Sequence, residues 1–259
     1  MKKAGIFLLF VNCLILSGCY STPEVKPRMA RFDSSEVNSE AFNFKLSVGS
    51  DSSNQIPLAE IEKTDKGSSL RLSAAMTLGN GFEIKYSNSG EDKIGIKYQL
   101  FGAPLEQKAA GNVSLATSLS YIRSERDDYN PSSSLSVNPA FSQWWELEQQ
   151  ALDVALISGY RFNERLLMYG GLFYQDGDVE GEIRSALSTE VSPQRCTESD
   201  ICQIEYFGGD GKGYGANLGL EYEFTSWFVV AAEVVYHHAK WFDRTNSETA
   251  ANLNLEFRF

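Results

Sequence analysis

The sequence has no long apolar run after its first residues, and it has very few histidines. Beyond residue 20, no stretch approaches the roughly 18 consecutive apolar residues that a membrane-spanning helix requires. The only two histidines, His237 and His238, are adjacent, so in a strand they point to opposite faces. These absences exclude helical membrane spans after residue 20 and leave little material for histidine-based catalysis.

Positive charge is also scarce. The formal net charge is -11 and the sequence pI is about 4.8, which argues against nucleic acid and anionic membrane surfaces as partners. The glycine-rich stretch 208–213 lacks the spacing of a phosphate-binding loop and indicates a flexible connection. We therefore predict no nucleic-acid partner and no cofactor.

The first eighteen residues have the pattern of a secretory signal. Lys2 and Lys3 provide its positive start, and the apolar stretch 4–16 is too short to anchor the chain in a bilayer. The segment Leu16–Cys19 resembles the lipobox of bacterial lipoproteins, in which Cys19 becomes acylated after cleavage. An ordinary cleaved signal with an incidental cysteine is the alternative.

Few cysteines are left in the mature chain. Cys13 belongs to the signal and Cys19 is the predicted lipidation site, which leaves Cys196 and Cys202 in a polar stretch. A short loop disulfide is the expected pairing for an exported chain. Two thiols with no histidine nearby make a poor metal site, and no metal is predicted.

In the rest of the chain, apolar and polar residues alternate with a period of two in segments bounded by turn residues. This pattern predicts an all-β fold. In the last strand, five apolar residues from Ala251 to Phe259 alternate with polar ones. Ten strands are predicted, at roughly 42–49, 69–78, 82–88, 92–101, 112–124, 149–162, 166–178, 213–224, 228–240 and 250–259. The strand at 166–178 alternates least cleanly, because Leu167, Tyr169 and Phe173 occupy its polar face.

Charged residues alternate with these apolar positions, and aromatic residues cluster towards the strand ends, as in a transmembrane barrel. The side chains predicted to face the lumen are Lys45, Arg71, Glu83, Lys85, Lys97, Asp153, Arg161, Glu221, Glu223, Glu233, Glu256 and Arg258. A satisfied ion-pair network is their expected role, and a narrow solute path is the alternative. A soluble β-sandwich would show the same alternation, so it stays open as a second fold.

The predicted connections alternate between short and long. One end receives the connections 79–81, 102–111, 163–165 and 225–227, and the other receives 50–68, 88–91, 125–148, 179–212 and 241–249. Short turns are periplasmic and long loops extracellular in barrels of this kind. We therefore predict a periplasmic N-terminus, with residues 19–41 as a periplasmic linker and residues 42–259 as the barrel.

The barrel pattern resembles that of the small bacterial outer-membrane β-barrel proteins of the eight- to ten-stranded class. The terminal Phe257 and Phe259 resemble the C-terminal assembly signal of these proteins. The resemblance covers residues 42–259. It implies an antiparallel up-and-down transmembrane β-barrel of about ten strands, with eight possible, located in the outer membrane. It also implies contact with outer-membrane lipids, lipopolysaccharide and, during biogenesis, the outer-membrane assembly machinery.

This class carries several activities, so the resemblance does not imply one of them. We expect a non-enzymatic surface protein whose long extracellular loops serve binding, adhesion or envelope structure, with an extracellular protein or surface ligand as a partner. The alternatives are a narrow channel, a soluble periplasmic β-sandwich lipoprotein, and a membrane-embedded hydrolase acting on lipid or peptide. A hydrolase would draw on His238, Asp243 and Ser247.

Overall fold

The computed structural model describes residues 23–57, 68–130, 142–186, 192–197 and 202–259. The signal segment 1–18 and the predicted lipidation site Cys19 lie outside these residues. Among the residues described, no helix is long and apolar enough to cross a membrane.

Ten antiparallel strands close into a barrel, which confirms the predicted fold class. The strands in chain order are β1 (Glu24–Val25), β2 (Ala41–Ser52), β3 (Ile56–Pro57), β4 (Ser68–Gly79), β5 (Phe82–Asn88), β6 (Asp92–Phe101), β7 (Val113–Asn130), β8 (Ser142–Asn163), β9 (Leu166–Ala186), β10 (Cys202–Thr225), β11 (Phe228–Trp241) and β12 (Arg244–Arg258). β1 and β3 form a separate two-stranded sheet, and the other ten follow one another around the barrel. β12 closes the ring on β2, with Arg258 opposite Lys45.

The barrel has two distinct ends. At the short-turn end, residues 80–81, 102–112, 164–165 and 226–227 connect consecutive strands. The two-residue turn 80–81 uses a positive backbone angle φ of 80° at Gly81, which a residue with a Cβ rarely adopts. At the opposite end, called the long-loop end below, β2, β5 and β11 finish, and the connections 53–67, 89–91 and 242–243 begin.

Four strands are longer than the alternation predicts. β7, β8, β9 and β10 extend through most of the stretches 125–148 and 179–212, which the sequence assigns to loops. Backbone ladders can continue where side-chain alternation fades, and polar side chains obscure that pattern. The chain divides into two compact units, one formed by 24–125, 148–180 and 208–259 and the other containing 126–147 and 181–207.

Side chains on the larger unit separate into an outer apolar face and an inner polar one. Large apolar residues are exposed around its outer wall, among them Leu46, Leu72, Ile94, Ile96, Leu119, Leu152, Val154, Leu156, Leu218, Leu220, Val234, Leu253 and Leu255. Exposed aromatic residues lie towards both strand ends, including Phe44, Phe82, Tyr160, Tyr222 and Phe224 at one end and Tyr86, Tyr121, Tyr214 and Tyr236 at the other. An apolar band between two aromatic girdles is the surface that a bilayer solvates.

The irregular strand β9 has a packing explanation. Tyr169 is buried in the lumen against Gly219 of β10, where a Cβ atom would lie 2.3 Å from the tyrosine ring. Phe173 is buried in the same way against Gly215. Glycines on β10 therefore make room for the aromatic rings that break the alternation of β9.

Candidate functional site

The N-terminal segment lies inside the barrel. Residues 28–39, called the plug below, pass through the lumen before β2 begins at Ala41. At the long-loop end the plug is held by backbone contacts, with Arg28 bridged to Ser53 and the amide of Met29 donating to the Ser52 carbonyl over 2.9 Å. At the short-turn end, the Ser39 amide donates to the Glu106 carboxylate over 3.1 Å. The plug therefore runs the length of the lumen.

This position differs from the predicted linker outside the barrel. Residues 29–37 are buried, and their polar groups are bonded to the barrel wall. The expectation of a linker outside the barrel is therefore wrong for residues 29–37, which lie in its lumen. A polar stretch without periodicity resembles a linker in sequence, but the polar lumen of a barrel gives the same residues partners.

Arg31 forms the central contact of the plug. Its guanidinium donates two hydrogen bonds of 2.5 and 2.6 Å to the carboxylate of Asp153 on β8, and both side chains are almost completely buried. Lys93 and Gln175 also donate to Asp153, over 3.1 and 2.9 Å. The same guanidinium lies 4.3 Å above the ring centroid of Phe173. A buried carboxylate with this many donors is fully satisfied.

A second buried ion pair joins Glu36 of the plug to Arg161 of β8. Arg161 donates from Nε over 2.9 Å and from Nη2 over 2.5 Å, and each side chain is 1% exposed. Asn112 donates to the same carboxylate over 2.9 Å. The hydroxyl oxygens of Ser35 in the plug and Ser114 in β7 are 2.6 Å apart. Plug and wall are thus joined by charge-assisted and neutral hydrogen bonds at one level.

Between these two levels, lysines of the wall hold the plug. Lys85 pairs with Asp33 and donates to the carbonyl of Phe32 over 3.2 Å. Lys97 donates to the Ser34 carbonyl over 3.1 Å and pairs with Glu83, which also accepts from Lys45. The wall lysines therefore bind backbone carbonyls and a side-chain carboxylate of the plug.

The remaining predicted lumen charges also lie inside the barrel. Glu233 accepts from the backbone amides of Arg31 and Phe32, and Arg71 lies with its guanidinium carbon 5.6 Å from the ring centroid of Phe32. Near the short-turn end, Arg258 pairs with three wall carboxylates, those of Glu221, Glu223 and Glu256. All twelve predicted side chains are buried or half-buried. The plug residues that complete the network were not predicted from the sequence.

Two small cavities lie beside the plug. One cavity of about 20 Å³ lies among Arg31, Asp33 and Arg71, and another of the same size lies beside Glu83 and Glu256. Each has room for about one water molecule. A wider cavity of about 290 Å³ is confined to the short-turn end, next to Leu105 and Lys108. Neither of the two cavities beside the plug is large enough for a solute path.

The two histidines point to opposite faces, as predicted. His237 is fully buried in the lumen, 5.5 Å from Phe173 between ring centroids. His238 lies on the outer wall, where its Nδ1 atom is 2.7 Å from the hydroxyl of Ser247. Within the described residues no hydrogen bond joins Asp243 to this pair. The same residues contain no group of three or more histidine, cysteine, aspartate or glutamate side chains able to hold a metal ion.

The C-terminal residues lie at the closure of the barrel. Phe259 exchanges backbone hydrogen bonds with Phe44 of β2, of 2.9 and 3.2 Å, and its side chain is exposed. The ring of Phe257 lies 5.5 Å from that of Phe228, which is the first residue of β11. The last residues therefore contribute to the aromatic girdle of the short-turn end.

The smaller unit contains the disulfide between Cys196 and Cys202, whose Cα atoms are 5.7 Å apart. Its two cysteines are buried and pack with Ala186. Arg184 pairs with Glu182 over 2.6 Å and donates to the carbonyls of Gln194 and Cys196. Its guanidinium also lies 5.4 Å from the Trp144 ring centroid. The disulfide segment is thereby attached to β9.

An apolar outer wall around a polar, filled lumen defines the chain as a small transmembrane β-barrel whose own N-terminal segment plugs it. No protein-family model matches the chain, and no curated protein matches it.

Several solved structures are similar to it. Ail, the attachment invasion locus protein of Yersinia pestis, is 18% identical with a TM-score of 0.35, and the match covers 85% of this chain and 100% of Ail. The translocator domain of the autotransporter NalP from Neisseria meningitidis is 12% identical with a TM-score of 0.28, and the match covers 100% of this chain and 95% of that domain. The outer membrane protein Omp33 of Acinetobacter baumannii is 12% identical with a TM-score of 0.26, and the match covers 86% of this chain and 100% of Omp33. With identities and TM-scores this low, the role of this chain has to be inferred from its own residues.

Proposed function

We propose that this chain is a non-enzymatic surface protein of the bacterial outer membrane, with a closed lumen and a binding, adhesion or envelope-structural role. The single observation that carries the proposal is the filled lumen. Arg31 and Glu36 of the plug are bound to Asp153 and Arg161 of the wall at two levels, and the two cavities beside the plug hold about one water molecule each. A conducting role is disfavoured by the same contacts, which leaves the surfaces outside the lumen as the functional ones.

The proposed orientation places the long-loop end outside the cell and the short turns in the periplasm. The basis is the general asymmetry of outer-membrane barrels, in which periplasmic turns are short. The segments 126–147 and 181–207 belong to the smaller unit, which contains the disulfide Cys196–Cys202. They are the proposed contact surface for an extracellular protein, a surface ligand or lipopolysaccharide.

The exported state rests on the first nineteen residues. We propose that the signal is removed before Cys19, that Cys19 is acylated, and that Phe257 and Phe259 are recognised by the outer-membrane assembly machinery. The sequence pattern supports the first two steps. The position of Phe259, directly after the strand that closes the barrel and bonded to Phe44 of β2, supports the third.

Gel mobility of the membrane fraction without boiling tests the barrel in its membrane. A folded transmembrane barrel stays compact in detergent, so we expect the band to change mobility when the sample is boiled. Mass spectrometry of the mature N-terminus should show a diacylated Cys19. A protein found in the soluble periplasmic fraction with the same mobility before and after boiling would contradict the proposal.

A lipid hydrolase on the outer wall is a second candidate, and one contact favours it. The 2.7 Å separation between His238 Nδ1 and Ser247 Oγ is suitable for proton transfer from a nucleophilic hydroxyl. A hydrolase predicts that Ser247→Ala and His238→Ala abolish ester cleavage by the purified barrel in phospholipid micelles. The surface-protein proposal predicts that the unaltered protein hydrolyses no more ester than its Ser247→Ala variant.

A further inference from the structure

The plug fixes the barrel end at which the N-terminus leaves the lumen. Glu24 and Val25 form β1 and pair with Pro57 and Ile56 of β3, beyond the last residue of β2. Three residues further along, Arg28 donates from its guanidinium to Ser69 over 2.9 Å at the start of β4. All of these contacts are at the long-loop end. The C-terminal Phe259, bonded to Phe44, is at the short-turn end.

The chain therefore crosses the barrel once more than its ten wall strands require. An even number of strands returns the chain to the end where the first strand began, so β2 starts and β12 finishes at the short-turn end. The plug adds one passage in the opposite sense before β2. Glu24 and Phe259 consequently lie at opposite ends of the barrel.

The distance from β1 to the predicted lipidation site is short. Cys19 precedes Glu24 by five residues, and five extended residues reach at most about 18 Å. The apolar band of a transmembrane barrel is about 25 Å tall. Acyl chains on Cys19 can therefore insert into the leaflet at the long-loop end, and the tether is too short to place them in the opposite leaflet.

From these contacts we propose that the mature N-terminus emerges on the cell surface, and that Cys19 is a lipid-attachment site anchored in the outer leaflet. This proposal rests on the proposed function for the orientation of the barrel and for acylation. It replaces a periplasmic lipid anchor with a surface one. The plug is then the segment that connects this acylated end, through the barrel lumen, to β2.

Cysteine labelling on intact cells tests the exit point. Thr22→Cys introduces a thiol just before β1, Asp243→Cys one in the turn 242–243 at the long-loop end, and Ser226→Cys one in the turn 226–227 at the short-turn end. We expect a membrane-impermeant maleimide to label Thr22→Cys as fully as Asp243→Cys, and Ser226→Cys only after the outer membrane is permeabilised. The boiling-dependent mobility shift verifies that each variant is folded.

The outcomes separate this proposal from the proposed function. If Asp243→Cys is labelled on intact cells and Thr22→Cys is labelled only after permeabilisation, the surface exit is wrong while the orientation stands. If Ser226→Cys is labelled and Asp243→Cys is protected, the orientation itself is wrong, and the surface location of the N-terminus with it. Mass spectrometry decides the lipid: acyl groups on Cys19 support the anchor, and an unmodified N-terminus overturns it.

Discussion

Replacing Arg161 by methionine is expected to lower the free energy of unfolding by about 3–5 kcal/mol, because it leaves the buried carboxylate of Glu36 without its cation. Both side chains are 1% exposed, and the guanidinium donates to the Glu36 carboxylate over 2.9 and 2.5 Å. Denaturant titration of the barrel in detergent measures the loss.

The chain provides a matched control for this substitution. Arg123 and Glu148 form an ion pair of 3.0 Å on the surface, with side chains 54% and 39% exposed. Arg123→Met should change the free energy of unfolding by at most about 1 kcal/mol, because water screens an exposed pair. Equal losses for the two variants would show that the Glu36–Arg161 pair does not hold the plug.

A double substitution separates the ion pair from the packing of its two side chains. Combining Glu36→Gln with Arg161→Met removes both charges, so no carboxylate remains buried without a cation. We expect the double variant to lose less stability than the sum of the two single variants. A simple sum would mean that the two side chains act independently.

The wall of the barrel could be predicted from the sequence because one physical rule governs it. Residues of a strand alternate between lipid and lumen, so Leu253 and Leu255 face outward while Glu233 and Glu256 face inward. That rule locates all ten wall strands, although β7 to β10 extend beyond the predicted bounds. Tyr169 violates the rule locally because a glycine, Gly219, lies opposite it.

The plug could not be predicted in this way because its bonds are made to distant residues. Arg31, Asp33 and Glu36 lie in a polar stretch without alternation, and their partners are 52 to 125 positions away. Nothing local distinguishes such a stretch from a solvated linker. The extended ends of β7 to β10 were missed for a related reason: their ladder bonds link backbones, and side-chain patterns report them poorly.

Loosening the plug should open the barrel to ions. The triple variant Arg31→Ser, Asp33→Ser and Glu36→Ser removes the charged side chains by which the plug binds Asp153, Lys85 and Arg161. Asp153, Lys85 and Arg161 of the wall then lose their charged partners in the plug. Because an unpaired charge is costly in a dry lumen, we expect water to enter and displace the plug. We expect single-channel conductance from this variant in planar bilayers, and none from the unaltered protein at the same voltage. Equal currents from both would show that the plug does not close the lumen.

A covalent lock tests whether displacement of the plug causes that current. Ser35 and Ser114 have hydroxyl oxygens 2.6 Å apart, so Ser35→Cys with Ser114→Cys brings two thiols within reach of a disulfide. Added to the triple variant, the oxidised pair should suppress the conductance, and a reductant should restore it. The control is the triple variant with Ser114→Cys and without Ser35→Cys. The reductant also reduces Cys196–Cys202 in this control, but no disulfide can attach its plug to β7. Current that persists through the oxidised lock would mean that ions pass beside a plug still in place.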